Sequence, residues 1–206
     1  MKLLKNRKKI CPFLVLADGS TKTEIDINGA VVLEADTTIT SNGGNLDFSS
    51  TINSDATARD LTISTGAGTV NIVGNLGGAT DTDLAAIDIN ASAGAGNITL
   101  GGDIGTDSIS GATTIDIGNA ATGTITLSGA EYNSSGAQTF TGAAFSLGGA
   151  DVTFATSDDA VEFAASTGQG GDVTLADISD LTINSGSGGI TFGGDILGTD
   201  SGVSTD

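Results

Sequence analysis

Asp60-Leu-Thr-Ile-Ser-Thr-Gly-Ala-Gly-Thr-Val-Asn-Ile-Val-Gly-Asn-Leu-Gly-Gly78 sets two short alternating runs, Leu61-Thr62-Ile63 and Val70-Asn71-Ile72, on either side of a turn built on Gly66 and Gly68. The same pattern returns as Asp180-Leu-Thr-Ile-Asn-Ser-Gly-Ser-Gly-Gly-Ile-Thr-Phe-Gly-Gly-Asp-Ile-Leu-Gly198, and its second half stands alone at Gly96-Asn-Ile-Thr-Leu-Gly-Gly-Asp-Ile-Gly105. Self-similarity of this kind is the mark of a repeat architecture. Two apolar side chains on one face and a polar one on the other are what a half-buried strand needs. The stretch therefore predicts an all-β repeat protein.

The rest of the chain repeats the same unit. Runs of period two recur at Ile25-Asp-Ile27, Val31-Val-Leu33, Thr38-Ile-Thr40, Leu46-Asp-Phe48, Ile87-Asp-Ile89, Ile98-Thr-Leu100, Ile115-Asp-Ile117 and Ile125-Thr-Leu127. They continue through Phe145-Ser-Leu147, Val152-Thr-Phe154, Val161-Glu-Phe163 and Val173-Thr-Leu175. Gly, Asn, Asp and Ser fill the intervals, with Asn28-Gly29 and Asn42-Gly43 as turn signals. Such spacing suits a sandwich of tandem repeats or a β-solenoid. The solenoid is favoured, because aromatics are only 4 % of residues and the strands are too short for a sandwich's thick interior. A thin core stacked coil on coil fits better. Coils of about 20 residues at roughly 4.8 Å each would give a rod of about nine coils over residues 18–206.

Charge is uneven. The chain carries a net charge of −18, and Lys2, Lys5, Arg7, Lys8 and Lys9 account for five of its seven basic residues. Past Arg59 there is no Lys or Arg, so the basic stripe that phosphate binding requires is missing and nucleic acid is not an expected partner. Of the 25 acids, 21 are Asp, a residue whose short carboxylate bonds nearby backbone N–H groups in turns. Residues 1–17 set a basic start before the apolar run Ile10 to Ala17, the layout of a secretory signal peptide, although a basic N-terminal cap has the same look. The run is far shorter than the roughly 20 residues a membrane span needs.

The sequence offers few candidates for chemistry. It has no histidine, and its one cysteine, Cys11, falls in the expected leader. The adjacent acids Asp158-Asp159 could be weighed as a glycosidase pair, but neighbours on a strand face opposite ways. Calcium is the better-founded expectation. Gly101-Gly-Asp-Ile-Gly-Thr-Asp107 and Gly194-Asp-Ile-Leu-Gly-Thr-Asp200 bring Asp103, Asp107, Asp195 and Asp200 together with glycines that expose carbonyls, and calcium takes several oxygen ligands. The order differs from the tandem calcium nonapeptide of β-rolls, so plain turns are the competing reading. Outward threonines such as Thr124/Thr126 and Thr139/Thr141 are interrupted by Asp, Asn and Ser, unlike an ice-binding ladder.

Val31-Val-Leu-Glu-Ala-Asp-Thr-Thr-Ile-Thr40, Gly44-Asn-Leu-Asp-Phe-Ser-Ser-Thr-Ile-Asn53 and Tyr132-Asn-Ser-Ser-Gly-Ala-Gln-Thr-Phe-Thr-Gly142 resemble, with the stretch at 60–78, the repeats of filamentous-haemagglutinin-like and autotransporter-passenger adhesins of bacteria. The resemblance covers residues 28–200. It implies a right-handed parallel β-helix, secretion to the cell surface, a non-enzymatic shaft, and partners on host cells, other bacteria or a matrix, glycans included. The family has no catalytic residue to carry over. Its members are far longer, which suggests a fragment that stops within a repeat. The alternative function is a β-helix that binds or cleaves polysaccharide.

Overall fold

The computed structural model describes residues 8–10, 13–16, 24–78, 83–105, 111–148, 151–176 and 180–198. These form a β-solenoid of about 7 turns with roughly 24 residues per turn and no helix. Each coil visits three faces. The first face stacks Ile25–Ile27, Leu46–Phe48, Val70–Ile72, Ile98–Leu100, Thr124–Leu127, Ala144–Leu147, Asp172–Leu175 and Ile196–Gly198. The second stacks Phe13–Leu16, Thr37–Ser41, Arg59–Ser64, Leu84–Ile89, Thr114–Gly118, Gln138–Gly142, Val161–Ala165 and Ile190–Phe192. The third begins with Lys8–Ile10, Val31–Leu33 and Ile52–Ser54 and ends with Glu131–Asn133, Val152–Ala155 and Leu181–Asn184. Single-residue bridges at Leu76 and Ile104 join its two parts.

Successive coils pair in parallel and in register, so like falls on like. This rules out the sandwich of tandem repeats. On the first face the inward column runs Ile25, Leu46, Val70, Ile98, Ile125, Phe145, Val173. On the second it runs Ile39, Ile63, Ile89, Ile117, Phe140, Phe163, Phe192 and changes from aliphatic to aromatic partway. Most of these side chains are fully buried, each worth about 1.5–3 kcal/mol. Because the inner residues of all three faces meet on the axis, a pair of apolar side chains per strand suffices.

The coil is longer than the expected 20 residues. It varies from 20 residues, Ile125 to Phe145, up to 29, Val161 to Ile190. Most of the extra length lies at corners, and one irregularity falls inside Leu84–Ile89, where the register against Arg59–Ser64 shifts between Leu84 and Ile87. The sequence repeat is also not the coil. Leu61-Thr62-Ile63 lies on the second face, whereas its later copy Leu181-Thr182-Ile183 lies on the third. Val70-Asn71-Ile72 lies on the first face and Ile190-Thr191-Phe192 on the second. The copy is therefore shifted by one face. Every face asks the same thing of its strand, so the strand–turn unit is interchangeable among them.

Of the expected leader, Lys8–Ile10 pairs with Val31–Leu33 and Phe13–Leu16 with Thr37–Ser41. Its remaining residues, Cys11 included, lie outside the described residues.

Candidate functional site

The chemistry-bearing side chains gather at corners, and most are tied to the next coil. Asn45 Oδ1 accepts from Thr69 N at 3.1 Å, Asn75 Oδ1 from Asp103 N at 3.1 Å, and Asn97 Oδ1 from Thr124 N at 2.9 Å. Carboxylates do the same. Asp36 accepts from Asp60 N, Asp60 in turn from Ala86 N, Asp151 from Asp180 N, Asp158 from Ser187 N and Asp172 from Asp195 N, at 2.9–3.3 Å. A strand that leaves its sheet at a corner turns backbone N–H groups toward the coil below, and an unpaired donor is costly. A one-carbon side chain holds the acceptor at the right height, which accounts for Asp and Asn outnumbering Glu at these places.

Of the calcium candidates, Asp103 falls into this scheme. Asp103 Oδ1 accepts from Ala130 N at 2.6 Å and Glu131 N at 3.1 Å. Asp195 is exposed and sits at a different corner. Asp103 leads into the third face at Ile104, while Asp195 leads into the first at Ile196. Tyr132, Phe154 and Ile183 follow Ile104 on the third face before the chain reaches Asp195, so the two look-alike motifs are not neighbours. Asp107 and Asp200 lie outside the described residues. Among the described residues no group of three or more His, Cys, Asp or Glu is arranged to hold a metal ion. Asp103→Ala is expected to lower unfolding free energy by about 1–3 kcal/mol through the lost charge-assisted bonds. Asp195→Ala should stay within about 0.5 kcal/mol. Urea unfolding of both, with and without millimolar calcium, measures the difference. Equal losses for the two would contradict this placement.

Inside the corners hydroxyls and amides hold the turns. Thr65 Oγ1 donates to Gly68 O at 2.7 Å, and the same three-residue reach joins Ser185 to Gly188 and Ser41 to Gly44. Asn90 is buried with a left-handed backbone at φ 55°, which Asn tolerates better than most residues. Its Oδ1 accepts from Thr65 N at 2.9 Å and its Nδ2 donates to Thr65 Oγ1 at 3.0 Å. Asn119 Nδ2 then donates to the carbonyls of Asn90 and Gly94. Sequence reasoning missed these residues. Its usable signal was a hydroxyl three positions before a corner glycine, as in Thr65-Gly-Ala-Gly68.

Two like charges meet on the second face, where Asp88 and Asp116 are direct partners across adjacent strands, with Thr62 and Thr139 on either side. Desolvation beside the neighbouring strands, and then the Asp88 carboxylate, push the exposed Asp116 carboxyl above its usual value. The folded state thus holds a proton that the unfolded chain has already lost. As pH rises from the unfolded value through the raised folded one, this group's contribution to stability falls. Asp116→Asn is expected to raise stability at neutral pH by about 0.2–1 kcal/mol, an amount limited by solvent screening. The gain should shrink as pH falls through the ordinary carboxylate range, where the Asp116 carboxyl is protonated in folded and unfolded chain alike. Urea midpoints across that range decide it, and a pH-independent gain would refute the assignment.

Asp158, of the adjacent acid pair, has φ 78° and accepts from Ser187 N, while Asp159 O accepts from Thr156 Oγ1. Both acids therefore serve the corner between the third and second faces. Among the described residues no helix is long and apolar enough to cross a membrane. Compared with family models, with curated proteins and with solved structures, the chain matches none.

Proposed function

We propose that the chain is a non-enzymatic shaft segment of a secreted or bacterial cell-surface adhesin, a rod that carries attachment to cell or matrix components. The observation that carries this reading is the corner ladder. Asp36, Asp60, Asp103, Asp151, Asp158 and Asp172 each direct a carboxylate oxygen to an N–H one coil on. Polar side chains so used strengthen cohesion along the axis, the direction in which a shaft bears load. A solenoid with an unbroken inner column from Ile25 to Val173 suits the same role.

The test is a glycan and matrix-protein binding array run beside a polysaccharide turnover assay on the purified chain. The shaft reading expects no turnover and retention of any binding by Asp158→Asn. Reproducible cleavage abolished by Asp158→Asn would overturn it in favour of a polysaccharide-cleaving β-helix.

A further inference from the structure

Two Asn-Gly pairs, Asn28-Gly29 and Asn42-Gly43, stand at corners on either side of the first face, and the corner ladder treats them differently. Asparagine amides elsewhere in the solenoid are tied down. Oδ1 of Asn45, Asn75 and Asn97 each accepts a backbone N–H one coil on, and Nδ2 of Asn71 and Asn133 donates to the coil below. Asn28 is held in the same way, its Oδ1 accepting from Ser49 Oγ at 3.0 Å. The Asn42 side chain is exposed and, among the described residues, has no hydrogen-bond partner. The peptide after it is open as well. Gly43 has φ 83°, and a Cβ built on it would meet nothing within 4 Å. Its N–H has no acceptor among the described residues.

We propose that Asn42 is a self-modification site, where the folded chain converts an amide to aspartate and isoaspartate through a cyclic imide. Asparagine is among the chemically labile residues. The reaction needs an amide carbon free to reach the next backbone nitrogen, and a nitrogen that is neither shielded by a side chain nor engaged as a donor. Glycine supplies the unshielded nitrogen because it has no Cβ. Gly43 N forms a bond to Asn42 Cγ, the Cγ–Nδ2 bond breaks, and the Gly43 proton leaves with Nδ2 as ammonia. Water then opens the imide. Cleavage between Cγ and the Gly43 nitrogen gives aspartate, and cleavage between the Asn42 main-chain carbonyl carbon and that nitrogen gives isoaspartate. Either product adds a negative charge to a chain already at −18. Isoaspartate also inserts Cβ into the main chain. The corner has little room for it, since a Cβ on Gly66 would lie 3.4 Å from Gly43 N, and Ser41 Oγ holds Gly44 O. Conversion thus marks aged chains with a new carboxylate and a lengthened corner. This inference is independent of the adhesin reading, because it needs only the two corners.

The experiment incubates the whole chain at neutral pH and body temperature and follows it by peptide mass mapping. Trypsin cuts after Lys22 and Arg59, so one peptide, residues 23–59, carries both Asn-Gly pairs. Fragmentation assigns the mass difference of an OH for an NH2 to one or the other, and electron-driven fragmentation separates isoaspartate from aspartate. In the folded chain Asn42 should convert several-fold faster than Asn28. In concentrated urea the two should convert at similar rates. Ser49→Ala, a change at an exposed side chain, should free Asn28 and bring its folded-state rate toward that of Asn42. Asn42→Gln should remove the conversion at that position and leave circular dichroism and the Asn28 rate unchanged. Absence of conversion at Asn42 in the folded chain, or equal rates at the two sites there, would overturn the proposal. A rate ratio that urea leaves unchanged would also overturn it, by tracing the preference to flanking residues. So would an Asn28 rate indifferent to Ser49→Ala, since the ladder would then not be what protects the held amides.

Discussion

Phe163→Ala is expected to lower the unfolding free energy by about 3–5 kcal/mol, the range for emptying a phenyl-sized space in a packed core. Phe163 is fully buried where all three faces meet. It stacks on Phe140 at 5.2 Å below and Phe192 at 5.3 Å above, both on the second face. It also meets Phe145 of the first face and Phe154 of the third edge-on, at 5.3 Å and 5.1 Å. No other ring in the structure has as many ring neighbours among the described residues. At about 2–4 °C per kcal/mol for a chain of this size, the melting temperature should fall by about 6–20 °C. Phe163→Leu, which keeps most of the volume, should cost less than half as much. The loss should also be local. A solenoid's coils contact only their neighbours, and among the described residues the coil above Phe163 has a neighbouring coil on one side. Hydrogen exchange is therefore expected to lose protection first at Leu181–Gly198, with the aliphatic coils around Ile39 and Ile63 holding longer. An unchanged melting temperature would mean that the aromatic column does not hold these coils together.

The same column shows what the sequence disclosed and what it hid. Strands with two inward apolar residues, such as Ile98-Thr-Leu100 and Val161-Glu-Phe163, are legible because the period of two survives in full. Those that escape notice break it from inside. Ile52–Ser54 turns Ser54 inward, where its Oγ accepts from Arg59 N at 2.9 Å. In Gln138–Gly142 the inward mate of Phe140 is Gln138, buried, with its Nε2 on the carbonyls of Tyr132 and Ala155 at 2.8 Å and 2.9 Å. A polar residue at an inward position looks like a turn residue until its hydrogen-bond partners are known. The phase of the solenoid was hidden for a different reason. Leu61-Thr-Ile63 and Leu181-Thr-Ile183 satisfy the second and third faces equally well, so no residue pattern states which face a strand will occupy. The two Gly-Asp motifs lie apart for the same reason, since similar words were dealt to different corners. Asp103 and Asp195 read alike in sequence, but only corner geometry tells that one caps the next coil and the other is exposed.

Gly96→Ala is expected to destabilise the protein by about 3 kcal/mol or more, and Gly189→Ala to stabilise it by about 0.4–1 kcal/mol. The two substitutions add the same methyl group to the same fold, and only space separates them. A Cβ at Gly96 would lie 1.9 Å from Gly68 O and 2.5 Å from Gly68 C, backbone atoms that cannot swing aside. One coil below, a Cβ at Gly68 would lie 2.0 Å from Gly44 O, so the three glycines form a column in which each backbone rests on the last. The contact is forced by neighbouring hydrogen bonds. Val70 N donates to Asn97 O, and the adjoining Thr69 N to Asn45 Oδ1, which clamps the chain on both sides of the corner. At Gly189 nothing lies within 4 Å and the backbone is not left-handed, so Ala loses no contact and restricts only the unfolded chain. Denaturant midpoints at constant slope measure both changes. Opposite signs would establish that glycine is required by the closeness of stacked corners and not by turn conformation alone. If Gly96→Ala proved as mild as Gly189→Ala, the coils could not approach at that corner as closely as these contacts require, and the corner ladder would lose its geometric basis.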